Sequence, residues 1–329
     1  MNIIVSRTDK AGDLILTTPV FRELRRQFPD ARIFAHVKRY TAALIRLCPE
    51  VNEMLVDDDY PSIIALSKAF RACGAELIVI VHPAARVILA AFLAGIVRRV
   101  GRASNVWQFF LSDRRVQKRS RNEKHEFQYN LQLLEGLVSN INLSGPSFLP
   151  GPADQSAARE IFSRLKVKKP ILIHPGHGGS AYNLSPESYA EIAQRLISAG
   201  FEVLISLGPG EEKMSGAFAG CQKEQLGFLK NVPDFAVLAA VMQLCRAFIG
   251  GSTGPMHLAA AVGLPVVAFF PPVPAMTPKR WGPVAPKNLV LMPSVESCTT
   301  RCNRCKLMPC MSAIDLSQAH AWLVEVLKE

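Results

Sequence analysis

Short apolar runs rich in Val, Ile and Leu alternate along this chain with longer helical patterns, and the alternation starts twice. In the first half the runs lie at residues 2–6, 32–37 and 76–82, with helical patterns over 14–28 and 84–94. The rhythm dissolves in the stretch VSNINLSGPSFLPGPADQS, whose Gly, Pro, Ser and Asn content marks a connector, and a domain boundary is expected near Pro150. It then restarts: runs at 170–174, 202–207, 247–250 and 265–270 interleave with helical patterns over 186–199, 235–245 and 256–262, and a last helix is expected over 316–327. Strands that alternate with helices pair in parallel, because each crossover helix carries the chain back to the end of the sheet where the previous strand began, and the helices then cover both faces of the sheet. At 329 residues the chain also exceeds what one hydrophobic core usually organises. The expected fold is therefore α/β, with two Rossmann-like, doubly wound domains, 1–150 and 151–329, facing a central cleft.

In such open sheets ligands bind beyond the carboxyl ends of the strands, so the loops there carry most information. Three of them in the second half are rich in glycine: Gly176-His177-Gly178-Gly179-Ser180, Gly208-Pro209-Gly210-Glu211-Glu212, and Gly250-Gly251-Ser252-Thr253-Gly254-Pro255-Met256-His257. The third enters a helix, with Pro255 near its first position. Glycine lets a backbone approach a ligand closely, Ser252 and Thr253 supply hydroxyls, and a helix N-terminus supplies free N–H groups and positive potential, a combination that suits phosphate. A tight strand-to-helix connection with a Ser/Thr cap and a core histidine is the alternative for this loop taken singly. Convergence of three such loops favours a nucleotide diphosphate site. Glu211 or Glu212 would suit ribose hydroxyls, and an acidic pair opening a helix equally suits the helix dipole. Neither G-x-G-x-x-G after the first strand nor G-x-x-x-x-G-K-[ST] occurs, which speaks against a dinucleotide oxidoreductase and a P-loop enzyme.

At the end of the first strand, RTDKAGDLILTTPVFREL places Gly12-Asp13 at the start of a helical pattern. A carboxylate there can serve as a general base for an attacking hydroxyl or can cap the helix. Arg7 and Lys10 are placed to neutralise a phosphate, or simply to be solvated.

The net charge of +11 favours anionic partners. A basic run from Arg114 to Lys124 follows the aromatic residues Trp107, Phe109 and Phe110, and would suit a phosphorylated glycan, an anionic membrane surface or solvent alone. Nucleic acid is not expected, since no recognisable binding module is present. The longest apolar stretch, VILAAFLAGIV at 87–97, is about half the roughly 20 residues needed to cross a bilayer and reads as a buried helix. Charged residues follow the opening MNIIVS too soon for a signal peptide, so a cytoplasmic location is expected.

Taken together, the segments RTDKAGDLILTTPVFREL, HPGHGGSAYNLSPESYAEIA, SLGPGEE, GGSTGPMHLAAAVGLP and KRWGP resemble glycosyltransferase family nine, which contains the heptosyltransferases of lipopolysaccharide core assembly. The resemblance spans essentially the whole chain in order. It implies a GT-B fold, an ADP-heptose sugar donor held by the second domain, a lipid-linked glycan acceptor held by the first at the inner-membrane surface, and inversion at the anomeric carbon with no catalytic metal or other cofactor. By the same resemblance Asp13 is the general base, Thr253, Gly254 and His257 belong to the diphosphate loop, and Glu211 or Glu212 contacts the ribose; Gly178, Gly179, Ser252, Pro255 and Met256 are the neighbouring loop positions expected to line the diphosphate. Two positions depart from the family pattern. Ser252 stands where many members have Asp, and Tyr182 where they often have Lys or Arg; Lys279 or Arg280 would then compensate, or the donor differs. Another nucleotide sugar, or a relative that binds without catalysis, would keep the same fold.

Cys298, Cys302, Cys305 and Cys310 crowd into thirteen residues. Four thiolates could hold a structural zinc, although only Cys302 and Cys305 show the usual C-x2-C spacing; free thiols or a labile disulfide are the alternatives.

Overall fold

The computed structural model describes residues 1–178, 182–294 and 310–328. The chain divides into two compact units, Met1–Pro146 and Ser147–Glu329. The division falls in the Pro- and Gly-rich connector, close to Pro150.

The first unit runs β1 (Asn2–Arg7), α1 (Ala11–Ile15), α2 (Thr18–Gln27), β2 (Arg32–Val37), β3 (Glu53–Val56), α3 (Ile63–Ala72), β4 (Leu77–Ile80), α4 (Ala85–Leu93), β5 (Arg98–Arg102), β6 (Asp113–Arg115) and α5 (Glu126–Gln132). Its six strands are all parallel, in the order β3-β2-β1-β4-β5-β6. The central strands are apolar throughout because helices cover both faces: Ile3, Ile4, Val5, Ile78, Val79 and Ile80 have no exposed surface. Ile4, Phe34, Ile78 and Ile80 pack against Leu66 and Phe70 of α3 and Ile88 of α4.

The second unit runs α6 (Pro152–Leu165), β7 (Ile171–His174), α7 (Pro186–Ser198), β8 (Val203–Ser206), β9 (Leu226–Leu229), α8 (Phe235–Gln243), β10 (Ala247–Gly251), α9 (Gly254–Ala261), β11 (Val266–Phe269), α10 (Pro278–Trp281), β12 (Asn288–Leu291) and α11 (Ser317–Val326). Its sheet has the order β12-β11-β10-β7-β8-β9, the same winding as the first. Ile171, Ile173, Ile205, Ile249 and Phe269 form its core with Tyr189, Ile192 and Leu196 of α7. In each unit the chain winds outward from one central strand and then returns to wind the other way. Successive connections therefore leave opposite faces at the β1/β4 and β7/β10 pairs, and a crevice opens beyond those carboxyl ends.

Two expectations need correction. The helical pattern over 14–28 is two helices, because Pro19 has no N–H to donate and its ring would clash with the carbonyl of Ile15; the chain stops α1, turns at Thr17 and restarts with Pro19 in the first turn of α2. The apolar stretch 87–97 is not a buried helix throughout. Val87, Ile88, Ala90 and Ala91 are buried, whereas Phe92, Leu93 and Val97 are 45%, 44% and 74% exposed. A helix on one side of a sheet can turn only one face to the core, so an unbroken apolar run leaves the other face in water.

Candidate active site

Beyond β1 the chain passes through an extended Lys10 into α1. Lys10 holds the cap position and is exposed; Asp13 is the third residue of the helix, so it is not the N-cap. Its carboxylate instead pairs with Arg7, at the end of β1. Arg7 is 4% exposed, and its Nε donates to Asp9 at 2.6 Å. A buried scaffold surrounds this trio. Asn130 on α5 accepts from Arg7 at 3.5 Å and donates to the carbonyl of Leu16 at 3.0 Å and to Thr17 Oγ1 at 3.3 Å. Thr17 Oγ1 in turn donates to the carbonyl of Asp13 at 2.8 Å. Arg119 pairs with the buried Glu126. His82, just past β4, has Nδ1 3.3 Å from Asp9. These groups gather at the carboxyl ends of the two strands that flank the first unit's switch point. Burial raises the Asp13 carboxyl from its ordinary 3.8 to about 6, with Arg7 opposing the shift and Asp9 and Glu126 adding to it. A carboxylate in that range is mostly ionised at neutral pH and still basic enough to take a proton.

At the corresponding place in the second unit, the loop after β7 and the loop after β8 meet around Glu211. A Cβ on Gly176 would fall inside the Glu211 carboxylate, which lies directly against that glycine, and one on Gly208 would approach it at 3.1 Å. Glu211 Oε2 accepts the N–H of Gly208 at 2.8 Å and lies 3.9 Å from His174 Nε2. His174 donates from Nδ1 to the carbonyl of Ser206 at 3.0 Å, a bond that fixes its tautomer, and burial lowers its pKa even though Glu211 opposes this. Glu212 reaches only the N–H of Gly210, at 3.4 Å on the surface. Of the two glutamates, Glu211 is thus the one turned in beside the glycine loops.

The loop after β10 is pinned from the β7 side by Asn183. Its Nδ2 donates to the carbonyl of Pro175 at 2.9 Å, and its Oδ1 accepts from the buried Tyr189 hydroxyl at 2.6 Å and from the N–H of Leu184 at 2.9 Å. A Cβ on Gly251 would come within 2.5 Å of Asn183 Oδ1, so only glycine lets the two loops lie this close. Thr253 occupies the cap position of α9 without a side-chain cap, and its hydroxyl donates to the carbonyl of Gly251 at 3.4 Å. Pro255 lacks an N–H, which leaves Gly254 and Met256 as the first-turn donors. The side chains of Met256 and His257 are buried, so Met256 could reach an anion only through its backbone. Ser252, Gly254 and Pro255 are half-buried, and Gly178 sits in a left-handed turn at φ +50°. Lys279 is exposed on α10, and Arg280 lies 4.8 Å over the Trp281 ring. Gly179 lies outside the described residues.

Asp9, His82, Asn130, Glu126, His174 and Asn183 escape a reading of the sequence, and Arg119, expected in an outward basic run, is turned inward, 7% exposed, against Glu126. Asn130 and Glu126 stand more than a hundred residues from Asp13, and no local pattern marks them. His174 and Asn183 flank a glycine loop that the sequence does flag. A further arrangement invites a hydrolytic reading: Ser6 Oγ lies 2.8 Å from His36 Nδ1, and His36 Nε2 lies 3.0 Å from Asp57. All three are at most 7% exposed, and Lys38 and Arg86 also hold Asp57. Burial disfavours the charge on Asp57, but the bonds from His36 and Lys38 and the charge of Arg86 outweigh it and hold the carboxyl below its usual range. The chain of bonds clasps the carboxyl ends of β1 and β2, which is a structural task.

Among the described residues no group of three His, Cys, Asp or Glu side chains could hold a metal ion. Cys298, Cys302 and Cys305 lie outside the described residues, and Cys310 packs half-buried on the second unit's core. No helix among the described residues is long and apolar enough to cross a membrane.

A family model described as glycosyltransferase family 9 (heptosyltransferase) matches residues 63–311. A Haemophilus influenzae protein provisionally named a glycosyltransferase is 31% identical over 302 residues, which cover 86% of each chain. Lipopolysaccharide heptosyltransferase 2 of Escherichia coli is 25% identical over 299 residues, 84% of this chain and 85% of that one. The crystal structure of a family 9 glycosyl transferase from Veillonella parvula superposes with a TM-score of 0.83 at 21% identity, covering 98% of this chain and 97% of that one.

Proposed function

The chain belongs to glycosyltransferase family 9 and has the GT-B fold, and from this premise we propose that it transfers heptose from ADP-heptose to a lipopolysaccharide core or similar lipid-linked glycan, with inversion and without a catalytic metal. The family description and the name of the Escherichia coli relative support heptose as the sugar. In this reading the second unit holds ADP. The first-turn N–H groups of α9 and the Thr253 hydroxyl meet the diphosphate, Gly178 and Gly179 let the backbone close on it, and Glu211 accepts from the ribose. Lys279 or Arg280 supplies the positive charge that Tyr182 does not.

The acceptor hydroxyl attacks the anomeric carbon from the face opposite the phosphate, and its proton passes to the Asp13 carboxylate. The bond from the anomeric carbon to the β-phosphate oxygen breaks, and ADP leaves with the electron pair. Arg7 and its partners hold Asp13 still, so that the base spends no reorganisation at the moment of attack. The enzyme works at the cytoplasmic face of the inner membrane, where such an acceptor is presented.

The observation that carries this reading is a carboxylate raised to about 6 and held by a buried arginine at the first unit's switch point. Replacing Asp13 by Ala removes the base and should lower transfer about 10²- to 10⁴-fold. ADP should still raise the melting temperature of the variant, because the nucleotide binds the second unit. Retained transfer in Asp13→Ala would overturn the role of the base; no thermal response of the native protein to ADP would overturn the nucleotide site.

A further inference from the structure

Residues 98–124 hold nine Lys and Arg against two acids, a surplus of seven out of the whole chain's eleven. The same part of the first unit is unusually apolar on its outside. Of fourteen exposed large hydrophobic side chains among the described residues, seven lie between Phe92 and Val116, with Val97 at 74%, Phe109 at 71% and Val116 at 76%. The aromatic members cluster with the cations. The rings of Phe92 and Trp107 both pack on Phe110, with centroids 5.0 and 6.3 Å away. The Arg99 guanidinium lies 5.5 Å from the centre of the Phe92 ring, and that of Arg114 lies 5.8 Å from Phe109. The seven residues lie on the end of α4 and the turn after it, on the 3-10 helix Val106–Phe110, and just past the edge strand β6.

An apolar surface of this kind is costly in water and marks something that covers it. The mixture of chemistries identifies the cover. The centre of a protein interface is depleted of charge, whereas here a guanidinium sits on the aromatic rings themselves. A single-stranded nucleic acid would use the aromatic faces and the cations, but not the aliphatic Leu93, Val97, Val106 and Val116. The headgroup layer of an anionic bilayer uses all three: tryptophan settles at the interface, aliphatic side chains enter the acyl boundary, and Lys and Arg meet lipid phosphates while their stems lie along apolar surface.

We propose that this face docks the enzyme on an anionic phospholipid bilayer, with Trp107 and Phe109 inserted among the headgroups and Arg99, Arg114 and Lys118 against the lipid phosphates. The inference deepens the acceptor side of the reading above, which places the enzyme at a membrane, but it stands on this surface and its test uses no catalysis. The full chain is sedimented with vesicles of phosphatidylcholine alone and of phosphatidylcholine with phosphatidylglycerol. Binding should be at least about tenfold stronger to the anionic vesicles and weaken with added salt. Trp107→Ser with Phe109→Ser, and separately Arg114→Glu, should each lower it about tenfold while the ADP-induced rise in melting temperature persists as proof of folding. Brominated lipid should quench tryptophan fluorescence in the native protein, and this quenching should vanish in Trp107→Phe.

Equal binding to neutral vesicles, or variants that bind as the native protein does, would overturn the proposal. So would loss of an oligomer on gel filtration in the serine variant, which would assign the face to a second copy of this chain. Tight binding of a single-stranded oligonucleotide without vesicle binding would assign it to nucleic acid and overturn it as well. Failure of the native protein to respond to ADP would sink the nucleotide site and leave the docking result standing.

Discussion

As the proposed base, Asp13 would stay ionised while it waits and accept a proton when the acceptor attacks. Burial pushes its carboxyl up and Arg7 holds it down, and the balance falls at about 6. Transfer should therefore lose rate as pH falls through about 6, and a kcat/KM profile should show an acidic limb there. The stability effect has the opposite sense. The folded state holds the Asp13 proton more tightly than the unfolded chain does, so this group's contribution to stability declines as pH rises from about 3.8 to about 6 and is constant above. Arg7→Met removes the charge that opposes burial. The acidic limb should move to higher pH, and because a buried carboxylate loses its partner the fold should weaken by about 3–5 kcal/mol in denaturant titrations. The glutamate pair is a second decision at this scale. Glu211 lies against Gly176 and takes the N–H of Gly208, whereas Glu212 reaches only the N–H of Gly210 from the surface. Calorimetric titration with ADP should find Glu211→Ala weakened about tenfold, the loss expected when a hydrogen bond to a charged group is removed, and Glu212→Ala nearly unchanged. The reverse order would reassign the ribose contact.

In the proposed reading, loops more than strands decide whether the second unit can close on a diphosphate. Asn183 ties the loop after β7 while Gly251 lies against its side chain, so both strand ends depend on one amide. Asn183→Ala leaves the Tyr189 hydroxyl without its acceptor and should cost about 1–3 kcal/mol, with a parallel loss of ADP affinity. If stability falls and affinity does not, the clasp is purely structural. The same scale shows where the sequence is hard to read. The central strands β1, β2, β4, β7, β8, β10 and β11 stand out as apolar runs because they are covered on both faces. The four outermost strands, β3, β6, β9 and β12, are three or four residues long and mostly half-exposed, and the DRR of β6 has no apolar residue to mark it at all. They are strands because a neighbour offers them hydrogen bonds, and that neighbour is known only once the sheet exists.

Across the molecule, the two sheets share one winding order, and in each of them a buried histidine is tied to a carboxylate or a carbonyl near the strand ends: His36 in the first, His174 in the second. Burial lowers both pKa values. Each folded form resists protonation that the unfolded chain accepts near 6.5, so the stability these groups contribute is present above that pH and is lost as pH falls below it. Replacing His36 by Gln should flatten the acid side of a stability-versus-pH curve measured by thermal melting; an unchanged slope would place the acid sensitivity elsewhere. The order of apolar runs, the connector and the three glycine loops were legible because each depends on local chemistry: periodicity needs only the next few residues, and glycine only the backbone at its own position. Asp13 was legible for the same reason, as an acid opening a helix after a strand. What the tertiary structure alone decided is which groups surround it. The ion pair with Arg7, the anchoring by Asn130 from α5, the inward turn of Glu211 beside Gly176 and Gly208 and the cluster of aromatic and basic side chains on one outer face all join residues distant along the chain or turn on which way a side chain faces. Coulomb forces and hydrogen bonds act through space over a few ångströms, and only the folded sheet brings those groups within that range.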